Sequence, residues 1–189
     1  MGYDKLTDRN IELACGKWQD EGFTIVFPET LAPNYINELI SNNGKTTSII
    51  NTPSTMTISN KKVNVGEVYF VGVDKDENWI TQFYPFEINK DGSANQAFYT
   101  FVDSKVNISG YIKDKVAICE FDEVKGADVF NVWKRITTYS VSWNMGWNVW
   151  RITRLSLIPS KTLTEEWKTI PSNNVKWYGG EDLWKLNIN

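Results

Sequence analysis

The feature that most constrains this chain is a succession of short segments in which apolar and polar residues alternate. Alternation with a period of two is typical of strands that lay one face on a core. Polar turns such as Asp74–Asn78 and Lys90–Gly92 separate the segments. The first segment is Trp18–Phe27, in which Phe23, Ile25 and Phe27 are predicted to lie on one face. The others are Val63–Val73, Trp79–Ile88, Ala97–Val102, Lys105–Ile112, Lys115–Phe121, Asp128–Val141 and Trp147–Ile158. Short strands at this spacing predict a mainly β fold, an antiparallel closed or nearly closed barrel, with a β-sandwich as the alternative.

Three short helices are predicted to flank these strands. Thr7–Ala14 begins with residues that cap helices. Asn34–Ser41 has apolar residues at helical spacing, and Asn-Asn-Gly follows it as a stop. In Thr162–Lys168, Thr162 precedes Glu165 by three positions, as in a capping box. Neither a repeat nor a linker divides the chain, so residues 1–189 are predicted to form a single β-rich domain.

Composition excludes several classes of function. Apolar residues make up 41% of the 189 positions and charged residues 23%, which suits one domain with its own core. A net charge of −3 gives no field that attracts nucleic acid, so no nucleic-acid partner is expected. Histidine is absent, which rules out Ser-His-Asp triads and His-ligated zinc. No apolar run is long enough for a transmembrane helix, and no metal or cofactor is expected.

The two cysteines, Cys15 and Cys119, leave two alternatives open. They form one disulfide that closes a long loop, or they are two free thiols. The compartment follows the same division. A bridged pair points to a secreted or periplasmic protein whose signal has been removed, and free thiols suit a cytoplasmic one.

Aromatic residues are abundant, at 14% with nine Trp. Such rings form either a large core or a surface that binds ligands. In the segment Ser142–Arg151, Trp143 and Trp147 share parity and Trp150 has the opposite parity. This pattern has two interpretations: Trp143 and Trp147 lie near the open end of a barrel, or, as the more common arrangement, the rings form cross-strand aromatic pairs that stabilise a hairpin. Phe83, Tyr99, Trp133 and Trp150 are predicted to supply the walls around a ligand.

The triplet Gly16-Lys17-Trp18, after a predicted short helix and at the start of a strand, resembles the calycin superfamily, especially lipocalins. The resemblance implies that Trp18 closes a barrel floor and packs against Arg154, with Arg151 as the second choice. The predicted helix Thr162–Lys168 matches the one that follows the last lipocalin strand. The same triplet is similar to avidin-like barrels, but the polar residues that bind biotin in avidin have no counterparts here.

The leading functional hypothesis is a non-enzymatic protein that binds a small apolar or amphipathic ligand in an aromatic-lined barrel. Three alternatives come from other classes. One is a carbohydrate-binding β-sandwich with Trp143 and Trp147 as an exposed platform. Another is a lipocalin-like enzyme that uses buried carboxylates such as Glu120. The third is a structural or assembly protein with a solid core. The sequence makes no prediction of the oligomeric state.

Overall fold

The structure is a computed structural model that describes residues 1–4, 9–19, 22–39, 55–122 and 126–188. Strands dominate it, as predicted. In chain order they are β1 (Gly2–Asp4), β2 (Arg9–Ile11), β3 (Trp18–Gln19), β4 (Gly22–Phe23), β5 (Asn37–Glu38), β6 (Met56–Ile58), β7 (Asn64–Glu67), β8 (Phe70–Val73), β9 (Trp79–Ile88), β10 (Ser93–Val102), β11 (Val106–Asp122), β12 (Ala127–Trp143), β13 (Gly146–Leu157), β14 (Thr162–Thr169), β15 (Val175–Gly179) and β16 (Asn187–Ile188).

The predicted helices are wrong where the structure describes them. The described helical segments are all 3-10 helices, at Pro33–Tyr35, Ile158–Ser160, Ser172–Asn174 and Gly180–Lys185. Thr162–Lys168 lies in strand β14, because Leu163, Glu165 and Trp167 alternate towards one face of the sheet. Asn34–Ser41 holds the end of a 3-10 turn and then strand β5, and its last two residues lie outside the described ranges. Of Thr7–Ala14, residues 9–11 form β2. No helix of the described ranges is long and apolar enough to cross a membrane.

Most strands belong to one large mixed sheet, in the order β15-β9-β10-β13-β14-β12-β11-β6. Consecutive strands that pair directly are antiparallel, as in β9–β10, β11–β12 and β13–β14. Strand β14 inserts between β12 and β13, and it therefore runs parallel to β12. Thr169, at the end of β14, accepts from the amide of Ser142 at 2.9 Å. The described sheet is not closed into a barrel.

A second irregularity lies in the β9–β10 hairpin. The two strands pair with each other only near the turn, through Phe86–Ile88 and Ala94–Gln96. Further from the turn they separate, since β7 pairs with β10 and β8 pairs with β9. The divergence turns β8 and the outer half of β9 away from the main sheet.

The two faces of the sheet are covered differently. The core face carries Trp150, Trp143 and Trp167 in the main apolar cluster. The other side of the sheet is the outer face. It carries Phe101 of β10, which pairs with Trp147 of β13, and Leu155 further along β13. Phe27 of the N-terminal segment packs over Trp147, and Ile170 and Val175 of the C-terminal segment pack with Val149 of the same face. Towards Leu155 and Leu157 the outer face is exposed.

Candidate functional site

An apolar cavity lies between the N-terminal segment and the β8–β9 hairpin. Its volume is ≈ 320 Å³, and pockets that hold small ligands measure about 300–1,000 Å³. Most of its lining is aliphatic or aromatic. The lining comprises Met1, Glu12, Leu13, Ala14, Cys15, Gly16, Phe23, Ile25 and Phe27 on the N-terminal side, and Val68, Phe70, Val71, Gly72, Val73, Ile80, Thr81 and Phe83 on the hairpin side.

Alternation along residues 23–27 explains the N-terminal wall. Phe23, Ile25 and Phe27 all line the cavity, which confirms the prediction that they share one face. Val26 points the other way and is 80% exposed. Gly16 lets the chain cross closely, because a Cβ there would lie 2.2 Å from the carbonyl oxygen of Thr24. Any side chain at position 16 would therefore push apart residues 12–16 and residues 23–27, the two N-terminal segments that form this wall.

A ring cluster forms the base of the cavity. Phe27 stacks on Trp147 with centroids 4.4 Å apart, and Phe70 meets Trp177 edge-on at 4.4 Å. Tyr99 stacks on Trp177 at 5.4 Å. The Nε1 of Trp147 donates to the carbonyl oxygen of Pro28 at 2.7 Å, so its polar edge is satisfied and fixed. Mutual ring contacts of this kind hold an aromatic wall in one arrangement.

Few polar groups reach the cavity. Glu12 supplies the only carboxylate among the described lining residues. The hydroxyl of Thr81 accepts from the amide of Gly180 at 3.2 Å. Burial raises the pKa of Tyr99, behind the wall. The described residues contain no group of three or more His, Cys, Asp or Glu that could hold a metal ion. An apolar enclosure with a sparse polar rim suits binding of an apolar molecule better than acid–base chemistry.

The structure divides the six rings predicted to contact a ligand among three places. Phe83 lines the cavity, and Tyr99 and Trp147 belong to the ring cluster behind it. Trp143 and Trp150 lie in the core face, with ring centroids 6.0 Å apart. Trp133 is buried on β12, away from both groups.

Trp143 and Trp147 do not share a face, so the prediction from their common parity is wrong. Asn144 and Met145 connect two separate strands, so parity does not carry across them. Trp143 is 0% exposed and packs beside Trp150, whereas Trp147 faces the opposite side of the sheet. Trp143 therefore cannot belong to an exposed platform for sugars.

Both arginines proposed as partners of Trp18 have carboxylate partners. The Nε of Arg154 donates to Glu165 Oε1 at 2.8 Å. The Nε of Arg151 lies 2.9 Å from Glu87 Oε2, and its Nη2 lies 3.5 Å from Glu166. The backbone of Trp18 pairs with Phe23, but its side chain lies outside the described residues. The Trp18–arginine contact stays a prediction.

A ladder of charges continues the core face beyond its apolar part. Glu165 is buried, and Thr137 donates to it at 3.2 Å while Arg154 pairs with it. Beside it, the hydrogen bond from Arg135 lowers the pKa of Asp114. Burial, reinforced by the charge of Glu165, raises the pKa of Tyr139 to about 12. Each charge has an opposite partner, as in a structural network.

Of the two alternatives for the cysteines, the structure has the free thiols. Cys15 and Cys119 are both free and exposed. Cys15 lines the cavity, whereas Cys119 lies on β11 opposite Phe130 of β12. The N-terminal segment and the β11–β12 hairpin therefore hold the two thiols in different parts of the fold.

Two rings of the cluster, Phe70 and Trp177, were missed by sequence reasoning. Phe70 stands at even parity within Val63–Val73, whose odd positions give the clearer alternation. The irregular step between β7 and β8 shifts that parity, and local sequence carries little signal for such a step. Trp177 comes from β15, which the tail of the chain adds to the edge of β9.

Comparisons with known proteins give no relative for this chain: no family model, no curated protein and no solved structure matches it.

Proposed function

We propose that this protein binds a small apolar or amphipathic molecule in the cavity between its N-terminal segment and the β8–β9 hairpin. The observation that carries the proposal is the enclosure of ≈ 320 Å³ by aliphatic and aromatic side chains. An apolar cavity of about 150 Å³ takes up benzene. This cavity therefore has room for a molecule of about two to three rings, or for a short alkyl chain.

Transfer of the apolar part of the ligand from water into the cavity supplies the affinity. Each buried methylene contributes about 0.8 kcal/mol. The ring cluster fixes the base before a ligand arrives, so little side-chain freedom remains to be lost on binding. Glu12 and the amino group of Met1 both line the cavity and interact electrostatically, so the lining favours a ligand whose polar end is uncharged.

From the lipocalin-like resemblance the proposal keeps the class of ligand, a small apolar molecule, and not the closed barrel. Lipocalins hold apolar molecules inside a closed sheet, whereas the described sheet here is open. We place the ligand between the sheet and the N-terminal strip that contains Gly16 and Phe23–Phe27.

Fluorescence titration with N-phenyl-1-naphthylamine tests the proposal, because the fluorescence of this uncharged aromatic probe increases in apolar surroundings. The decisive variant is Ile25→Trp, which fills the cavity from the N-terminal wall. Its matched control is Val26→Trp, which adds the same ring at the neighbouring, 80% exposed position. We expect saturable enhancement for the wild-type chain and for Val26→Trp, and its loss for Ile25→Trp.

Either of two results would overturn the proposal. One is a wild-type protein that gives no saturable enhancement. The other is an Ile25→Trp variant that binds the probe as well as Val26→Trp does. Circular dichroism of all three proteins shows whether a loss of binding accompanies a loss of fold.

A further inference from the structure

The β11–β12 hairpin extends well beyond the strands that flank it. Its strands pair along their whole length, from Val106–Trp143 to Asp122–Ala127. Strand β6 covers only Ile108–Gly110 of β11, and β14 covers only Lys134–Ser140 of β12. Among the described residues, no further strand pairs with the outer part of the hairpin, which we call the arm. A two-stranded ribbon is only marginally stable in water, so the arm gains stability when another surface covers it.

One side of the arm is mainly apolar and basic, and Asp128, near the turn, is an acidic residue on it. Phe130 and Val132 are 74% and 64% exposed. The register continues this side onto the outer face of the sheet, where Lys134, Thr162 and Leu157 form one row. We call this surface the arm face. It comprises the exposed apolar residues Phe130, Val132, Leu155, Leu157 and Ile158 and the exposed lysines Lys113, Lys115, Lys134 and Lys161.

The arm-face lysines leave their charge available. None of the four has a carboxylate within ion-pair distance among the residues that the structure describes. Lys161 donates to the amide oxygen of Asn131, and Lys113 lies over the ring of Tyr111. All four line one shallow groove beside Val132 and Trp133. Asp114 reaches the same groove, but Arg135 neutralises it.

The turn between β8 and β9 has the complementary character. It carries three acidic residues, Asp74, Asp76 and Glu77, and one lysine. The apolar residues Val73, Trp79 and Ile80 next to the turn are exposed, Trp79 at 65%. We call these residues together the hairpin tip.

The hairpin tip is ordered before it meets a partner. The carboxylate of Asp74 accepts from the amides of Asp76 and Asn78 at 2.8 and 2.9 Å. Hydrogen bonds from Asn78 lower the pKa of Asp74. The side-chain carboxylate therefore closes the turn, and the exposed ring of Trp79 projects from a fixed frame.

The two surfaces cannot meet easily within one molecule. Strands β10, β13 and β14 lie between β9 and β12 in the sheet order. Four strand spacings of about 4.8 Å amount to about 19 Å. Packing of one arm face on another would set lysines against lysines, which opposes a symmetric contact. The hairpin tip offers the opposite charge and its own exposed apolar side chains.

We propose that the arm face of one copy of this chain binds the hairpin tip of a second copy. The contact is head-to-tail, so a pair of copies keeps one free arm face and one free hairpin tip, and association continues into a ring or a filament. Val73 and Ile80 of the hairpin tip also line the cavity, whereas Trp79, the acidic residues of the turn and the arm face lie outside it. Charge reversals at the acidic residues and at the arm lysines therefore test the contact without changing the cavity lining.

Two charge-reversal variants of the full chain test it. The arm variant carries Lys115→Glu and Lys134→Glu, and the tip variant carries Asp76→Lys and Glu77→Lys. The control is Lys61→Glu with Lys62→Glu, which changes the net charge as the arm variant does at exposed positions outside both surfaces. Sedimentation velocity measures association over a wide range of protein concentration and at two ionic strengths.

We expect wild-type and control proteins to associate in a concentration-dependent and salt-sensitive way. Each reversal should weaken association by more than about tenfold. A mixture of arm and tip variants should associate again, because the reversed arm face of one variant meets the reversed hairpin tip of the other and their unchanged surfaces also match. Both reversals in one chain should restore association, since the charges are then exchanged.

Three outcomes would overturn the proposal. A wild-type chain that stays monomeric throughout shows that a second copy is not the occupant of the arm face. Loss of association in the arm variant alone shows that the arm face binds a surface other than the hairpin tip. Association that neither reversal changes places the interface elsewhere.

Discussion

Trp150 gives the sharpest test of the division between core and ligand site, because the sequence favoured it as a ligand contact and the structure buries it. Its ring stacks on Phe98 and on Trp167, with centroids 4.6 Å away in each case. Its Nε1 donates to the hydroxyl of Thr100 at 2.8 Å, and both residues are buried. Trp150→Phe removes part of the ring and leaves the Thr100 hydroxyl without its donor.

Two losses set the size of the effect. An unsatisfied buried polar group costs about 1–3 kcal/mol. The space left by the smaller ring adds about 1 kcal/mol or more, since even modest core truncations cost this much. We therefore expect Trp150→Phe to lower the free energy of unfolding by about 2–4 kcal/mol. Domains of this kind have only about 5–15 kcal/mol in total.

A double-mutant cycle isolates the hydrogen bond. The variants are Trp150→Phe, Thr100→Val and the two combined, and urea unfolding is followed by circular dichroism because the substitutions alter fluorescence. The summed stability costs of the two single variants should exceed the cost of the double variant by about 1 kcal/mol, since the double variant leaves no unpaired polar group. A Trp150→Phe variant of unchanged stability that loses N-phenyl-1-naphthylamine binding would refute this reasoning and return Trp150 to the ligand site.

Three further predictions concern charge and backbone. Arg154→Met strands the buried carboxylate of Glu165 and should lower the free energy of unfolding by about 1–3 kcal/mol, and adding Glu165→Gln should recover much of this loss in urea unfolding. The pKa of Tyr139 is raised to about 12 in the folded protein, from about 10 in an unfolded chain. Below pH about 10 both states keep the phenol proton, and between pH about 10 and about 12 only the unfolded state ionises, so stability falls as the pH rises. Unfolding at a series of alkaline pH values should show a steeper loss for the wild-type chain than for Tyr139→Phe. Gly16→Ala places a Cβ 2.2 Å from a carbonyl oxygen and should cost about 1–3 kcal/mol, whereas Gly179→Ala, whose nearest neighbour would be 3.7 Å away, should change the melting temperature little.

Local pattern was enough to predict the strands that pair with their neighbours in sequence. Trp79–Ile88 is β9 with the predicted bounds, and Asp128–Val141 lies within β12. The turn Asp74–Asn78 was also placed correctly, because Asp and Asn side chains bond to their own turn backbone. Such signals are complete within about ten residues, and the fold does not override them.

Strand β14 shows where local pattern is insufficient. Thr162 and Glu165 have the spacing of a helix cap, but the carboxylate of Glu165 is held by Arg154 and Thr137 across the sheet. Insertion of β14 between β12 and β13 depends on non-local partners, which composition and spacing do not reveal.

The sequence predicts one part of the candidate site, the N-terminal wall, but not the ring cluster at its base. Alternation placed Phe23, Ile25 and Phe27 on one side. Phe83 was selected as a ligand contact, but the ring cluster joins residues from four distant parts of the chain, such as Phe27, Phe70, Tyr99 and Trp177. Their meeting follows from the divergence of β9 and β10, which no short segment encodes.

Methyl NMR with N-phenyl-1-naphthylamine tests the central claim most directly, because it locates a bound apolar molecule by residue. Binding in the cavity predicts shifts and intermolecular nuclear Overhauser contacts at the methyl groups of Ile25, Val71 and Ile80. The methyl groups of Val141 and Ile152, in the core face, should stay unperturbed. Contacts at Val141 and Ile152 with none at Ile25 would contradict the claim and place the ligand among the tryptophans of the core.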